Sequence, residues 1–237
     1  MAFFDFLHGL EDYTADMVTR MNRRHAHILA PFAEDLTGAR VLDLAAHDGR
    51  WSYALAEHAQ EVIGVEARPD LIRRFARYPA GVLHDRVTLV CDDIYRDLDT
   101  RLAAGETFDV VALFGIFYHV MDHYGLLARV AQLQPELILI DSEFMIDRNP
   151  MIQMVKERTD NPLNAIPHVP GQEVTLKGVP STAAMDRMAE VLGYACGWAD
   201  WDSLPFDQRD TVRDYFRDTK MRRRTCVLRP LADQTGG

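Results

Sequence analysis

Reactive side chains gather in four short stretches, each placed where an apolar run ends. The first is Asp43-Leu44-Ala45-Ala46-His47-Asp48-Gly49, in which Ala45, Ala46 and Gly49 are small enough for the backbone to turn tightly and approach a ligand. The second ends in Glu66, 17 residues after Gly49. An acid there can accept hydrogen bonds from both hydroxyls of a ribose. The third, Cys91-Asp92-Asp93-Ile94, offers a carboxylate for an exocyclic adenine amine and an isoleucine to pack on the ring. The fourth, Phe114-Gly115-Ile116-Phe117-Tyr118-His119-Val120-Met121-Asp122-His123, joins a phenol to two imidazoles. Imidazole titrates near pH ~6.5 and suits proton transfer at neutral pH.

His119 and His123 are four apart and share a face if helical. With Asp141 or Glu143 they form a donor set that a metal could use. Hydrogen-bonded residues at a helix start are the favoured reading, because strand-edge residues converge on any ligand in an open parallel sheet. His168 and Glu173 are further candidates for lining a substrate pocket, and solvated loop groups are the plainer reading of both. Arg217, Lys220 and Arg222-Arg223-Arg224 form a basic cluster that could meet phosphate. A solvated strand entry is favoured for it. Trp198 and Trp201 read as packing residues.

These stretches need a scaffold that brings strand ends to one edge. Apolar runs at residues 40–45, 61–65, 87–91, 108–114 and 136–140 predict five strands. Helical patterns at 52–58, 70–78 and 123–133 separate several of them. Nearly continuous apolar strands alternating with helices predict a parallel sheet covered on both faces. Residues 10–30 carry Val18, Met21, His25 and Ile28 at three- and four-residue steps and predict an amphipathic helix. Proline and glycine punctuate 145–180, which predicts an irregular insertion of the kind that lines binding sites. Ser181 or Thr182 caps a helix over 181–193. Strands at 195–200 and 225–228 complete the sheet. The fold class expected is α/β, a doubly wound, mostly parallel seven-stranded sheet with helices on both faces, all one domain. Its parts are an N-terminal helical cap (1–36), a cofactor-binding core (37–144), a substrate-side insertion (145–180) and a C-terminal part of the sheet (181–230).

Composition narrows the function classes. The 237 residues are 48% hydrophobic and 26% charged, ordinary for a folded soluble chain. A net charge of −10 weighs against a polyanionic partner, so nucleic acid is disfavoured. Three cysteines without a CxxC pair suggest no disulfide framework and fit the reducing cytoplasm. The N-terminus lacks the pattern of a signal peptide, and no apolar stretch approaches the ~18 residues of a membrane span.

Taken in order, the stretches resemble a known family. Val41-Leu42-Asp43-Leu44-Ala45-x-His47-x-Gly49, Val62-Ile63-Gly64-Val65-Glu66, Asp92-Asp93-Ile94 and Phe108-Asp109-Val110-Val111 are similar to the ordered motifs of class I S-adenosylmethionine-dependent methyltransferases. The likeness covers residues 38–145, with 181–193 and 224–230 similar to the family's late helix and last strand. It implies S-adenosylmethionine as cofactor. It places the loop Asp43, Ala45, His47 and Gly49 under the methionine moiety, Glu66 with Ala67 at the ribose, and Asp93 with Ile94 at adenine; Phe114 is a further expected contact. The Phe114–His119 stretch resembles the Gly-x-x-Tyr-His segment of one subgroup and faces the transferred methyl. Tyr118 would then orient an acceptor and His119 would take its proton, with His123, Glu143 and His168 around the substrate. The family's Gly-x-Gly-x-Gly departs here to Ala45 and His47 at its first two glycines.

The function expected is methyl transfer to an O, N or S nucleophile of a small molecule. An RNA-modifying enzyme of the same fold and a non-catalytic cofactor-binding regulatory subunit are the alternatives, the second motivated by the two missing glycines. A homodimer is left open.

Overall fold

The computed structural model describes residues 2–161, 164, 166, 167 and 169–232. Among the described residues nine strands run in chain order as β1 (Arg40–Leu44), β2 (Glu61–Glu66), β3 (Val87–Cys91), β4 (Val110–Phe114), β5 (Leu137–Met145), β6 (Ile152–Arg158), β7 (Val174–Pro180), β8 (Tyr194–Trp198) and β9 (Met221–Pro230). The α-helices are α1 (Ala15–Ile28), α2 (Ala33–Leu36), α3 (Arg50–Leu55), α4 (Pro69–Ile72), α5 (Val82–Asp85), α6 (Ile94–Ala103), α7 (His123–Gln132) and α8 (Thr182–Val191).

Seven strands form one sheet in the order β3-β2-β1-β4-β5-β9-β8. The first five are parallel, and β9 pairs antiparallel with both β5 and β8. This is the mostly parallel seven-stranded sheet expected. Strand order reverses between β1 and β4, so a crevice opens above their carboxyl ends, where ligands settle in such sheets. Side chains alternate across each strand, and β1 sends Val41 to one layer and Leu42 and Leu44 to the other. The Val41 layer carries α1 and α3 through Val18, Met21, Ile28, Trp51 and Leu55. The opposite layer carries α6, α7 and α8 through Leu98, Leu126, Val130 and Met185. Both faces are therefore dry, which explains the near-continuous apolar strands.

Several elements depart from the sequence reading. Residues 145–180 are not irregular throughout: β6 and β7 pair antiparallel into a ribbon from Ile152↔Pro180 to Arg158↔Val174. Mixed polar and apolar residues on both strands hid their alternation. Strand β5 runs on to Met145 because β9, also longer than expected, holds it in eight consecutive pairs from Ile138↔Leu228 to Met145↔Met221. Helix α6 was not anticipated. Its capping residue, Asp93, accepts from Tyr95 N and Arg96 N, and Ile94 and Leu98 are buried. A 3-10 turn at Phe3–Gly9 precedes α1 and buries Phe4 and Leu7. The helix expected at 70–78 is α4 followed by a 3-10 turn, Arg73–Arg77.

Candidate active site

The loop after β1 keeps a glycine-like backbone with only one of its three left-handed positions a glycine. Ala45 has φ 62°, His47 has φ 57° and Gly49 has φ 78°, three left-handed residues at alternate positions. Only Gly49 is sterically bound to be glycine, since a Cβ there would lie 2.6 Å from Phe75 Cδ2. Ala46 N–H donates to Val65 O at 2.9 Å, and His47 N–H donates to Glu66 Oε2 at 3.0 Å. The loop is thus pinned to the end of β2. Arg50 holds its far side, donating to both oxygens of Asp48 (2.6 and 2.9 Å) and to His47 Nδ1 (2.8 Å). The Tyr13 hydroxyl from the N-terminal cap also donates to Asp48.

Asp43 takes a different place from the one expected. It is 1% exposed behind the loop, accepts from Ser52 Oγ at 2.6 Å, and does not reach the crevice. Burial first, with the nearby Glu66 charge, pushes its carboxyl up to about 7 against the pull of Ser52. Gly49 likewise shapes the loop from outside the crevice wall.

The crevice is a cavity of about 650 Å³, within the usual ligand-site range of roughly 300–1,000 Å³. One end is walled by Ala45, His47, Glu66, Ala67, Asp93 and Ile94. Glu66 is 3% exposed and covered by Arg68, whose Nε lies 2.7 Å from Oε1. Asp93 spends Oδ1 on its capping bonds at 3.0 and 3.3 Å and leaves Oδ2 for an amine. Trp51 and Phe114, with ring centroids 5.2 Å apart, flank the middle. These residues fit an adenosine-bearing cofactor: the carboxylates are acceptors only, as hydroxyls and an amine require.

Tyr118, His119, Met121, Arg20, Arg24 and Arg223 wall the other end. His119 is 8% exposed, and its Nδ1 lies 2.7 Å from Glu157 Oε2 on β6. A carboxylate only accepts, so Nδ1 carries the proton and the lone pair sits on Nε2. Nε2 makes no hydrogen bond among the described residues. Burial pushes the imidazole below its ordinary 6.5, and Glu157 offsets only part of that. Lys177 on β7 holds the second oxygen of Glu157 at 3.0 Å and lies 4.7 Å from the centre of the Tyr118 ring. Sequence reasoning missed Glu157 and Lys177. Their signal was the alternation of β6 and β7, obscured inside a proline-rich stretch.

The other expected site residues lie elsewhere. His123 does not reach the cavity; it ties the ribbon to the start of α7, with Nε2 3.0 Å from Gly178 O. Glu143 pairs with Arg217 at 3.1 Å, also away from the cavity. Glu173 is exposed, and His168 lies outside the described residues. Asp141 is fully buried, accepting from Arg24 (2.7 Å), Arg223 (2.5 Å), Tyr215 (2.6 Å) and Thr225 (2.7 Å). Burial would raise its carboxyl, yet Arg223 and then Arg24 outweigh that and hold it at about 2. Among the described residues no group of three or more His, Cys, Asp or Glu side chains could hold a metal ion. Arg223 corrects the reading of the basic cluster as solvated, because its pairing with Asp141 draws it inward. Trp201 packs as expected, stacked 3.6 Å from the Tyr215 ring.

The sheet order, the left-handed loop and the acids after β2 and β3 define a class I methyltransferase fold. Residues 41–134 match a family model described as a methyltransferase domain. Solved structures share the fold at low identity. The N-terminal domain of EvdMO1, crystallised in the presence of SAH and D-fucose, is 20% identical over 90% of this chain and 83% of its own, with a TM-score of 0.60. The DhpI–SAH complex is 16% identical over 95% and 93%, with a TM-score of 0.58. A methyltransferase from Listeria monocytogenes is 12% identical over 90% and 99%, with a TM-score of 0.61. No curated protein matches the sequence. Among the described residues no helix is long and apolar enough to cross a membrane.

Proposed function

We propose that the protein transfers a methyl group from S-adenosylmethionine to an O, N or S nucleophile of a small molecule, with His119 as general base. The observation that carries this is the Glu157–His119 pair, which presents an Nε2 without a hydrogen bond among the described residues in a cavity whose other end suits adenosine. Ala45 and His47 hold the loop for the methionine moiety, Glu66 and Ala67 meet the ribose, and Asp93 and Ile94 meet adenine. The bound cofactor supplies an electrophilic methyl group, so the protein's main task is alignment. Tyr118 orients the acceptor and His119 Nε2 takes its proton, while Glu157 fixes the tautomer. His123 and Gly49 support the site from behind. The left-handed φ at Ala45 and His47 favours a working loop over a regulatory remnant. The acidic balance favours a metabolite over RNA.

Calorimetry with S-adenosylmethionine, then a methyl-transfer assay on a metabolite panel, tests the reading. Binding and turnover are expected, with His119→Ala about 10²- to 10⁴-fold slower at unchanged cofactor affinity. Binding without turnover on any acceptor would favour the regulatory subunit.

A further inference from the structure

Three arginines converge beyond the cofactor end of the cavity. Arg20 and Arg24 come from α1 and Arg223 from β9, and all three line the wall that also carries Tyr118 and His119. Four strand spacings separate β2, which bears Glu66, from β9, which bears Arg223, or about 19 Å at ~4.8 Å per strand. The Arg223 guanidinium reaches back to the end of β4, where a Cβ on Gly115 would lie 3.5 Å from its Nη2, and Arg24 lies over the Trp51 ring at 4.8 Å from its centroid.

Their charge is not cancelled within the cluster. Asp141 takes Arg24 and Arg223, and Asp214 takes Arg20 through two bonds of 2.6 Å. Three cations face two carboxylates. Asp141 is already saturated, since Tyr215 and Thr225 donate to its other oxygen.

Hydrogen-bond capacity is also left over. Arg24 donates from Nε to the Tyr215 hydroxyl at 3.0 Å and from Nη2 to Asp141. Arg223 donates from Nε and Nη2 to the side chain and carbonyl of Asp141. Nη1 of each donates to no acceptor among the described residues. Both residues are more than nine-tenths buried, at 7% and 9% exposed. Neither Nη1 is among the sealed-off unsatisfied atoms, so two unused donor ends lie open at one cavity and can take an acceptor there.

From these observations we propose that the methyl acceptor carries an oxyanion, a carboxylate or a phosphate group, held by Arg24 and Arg223 with Arg20 beside them. The proposal rests on the methyl-transfer reading above and names the substrate class for it. Met17, Met21, Ile116 and Met121 line the same part of the cavity and would cover an apolar body attached to that anion. Guanidinium forks match the geometry of such oxygens, and an amine cation would be repelled there.

The competing assignment gives the same guanidinia to the carboxylate of the cofactor, and the experiment separates the two. S-adenosylhomocysteine binding is measured first by calorimetry. If it does not bind, the methyl-transfer reading falls and this proposal with it. Inorganic phosphate and benzoate are then titrated into protein saturated with S-adenosylhomocysteine, with choline as the cationic control. Saturable binding of an anion and none of choline is expected. Arg24→Lys and Arg223→Lys keep a cation beside Asp141 but delete the spare nitrogen, and each should weaken anion binding at least tenfold while S-adenosylhomocysteine still binds. Arg20→Gln, at a more exposed site, provides a variant that spares the Asp141 pairs. No saturable anion binding to the loaded protein overturns this proposal alone, and so does anion binding that S-adenosylhomocysteine displaces.

Discussion

At the scale of single residues, the loop after β1 separates a glycine motif from what glycine is for. Left-handed φ costs a residue with a side chain roughly 1–2 kcal/mol, and Ala45 and His47 both bear it. Ala45→Gly should therefore raise the unfolding free energy by about 1 kcal/mol, read from urea midpoints, with cofactor affinity retained because the backbone is unchanged. His119 gives a second expectation. Burial lowers its pKa, so the acid limb of kcat/KM against pH should lie below 6.5, and activity should fall only as protons return to Nε2. Glu157 pulls that pKa upward. Glu157→Gln should move the limb to still lower pH and reduce kcat, whereas a limb that stays put would remove Glu157 from the role. His119 could be picked out in the sequence because it follows an apolar strand at a fixed step. Glu157 could not, since a lone acid 38 residues away announces nothing until two strands pair.

Elements show why the insertion resisted reading. Ile152, Met154, Val174 and Leu176 alternate along β6 and β7 yet remain exposed, so their pattern does not mark a buried face. The ribbon docks through Gly178, whose N–H donates to Val120 O at 3.0 Å and whose carbonyl meets His123. A Cβ on Gly178 would lie 2.5 Å from His123 Cε1 and 3.1 Å from Val120 O. Gly178→Ala should cost about 1–3 kcal/mol through overpacking and shift Glu157 away from His119. Lower kcat with unchanged S-adenosylhomocysteine affinity is the expected result by stopped-flow and calorimetry. The strands of the core were legible for the opposite reason: they are buried on both faces, and burial writes itself as an unbroken apolar run.

Across the whole molecule, Asp141 joins three parts of the chain that sequence separates widely. Arg24 belongs to the cap, Asp141 to β5, and Arg223 and Thr225 to β9. Removing one partner of a buried pair strands the others, at about 3–5 kcal/mol, so Asp141→Ala should be strongly destabilised in thermal melts at pH 7. The pH dependence has a definite sign. The folded carboxyl sits at about 2, below its unfolded value of ~3.9. Its contribution is present above pH ~4 and is lost as pH falls toward 2. The gap between wild type and variant should narrow over that window. None of this was visible in the sequence, where the arginines read as a solvated run. Long-range pairing chose which of them turned inward.

The Glu157–His119 pair has one more consequence, in how the site resets. In the proposed reaction a positive charge begins on sulfur and ends on the imidazole. Glu157 then lies between two cations, because Lys177 already occupies its other oxygen. Before transfer that trio is neutral; afterwards it carries a surplus charge in a buried place. A histidine whose acidity burial has strengthened sheds that proton at neutral pH without help. The same burial that makes His119 a weak base therefore clears the site for the next turnover.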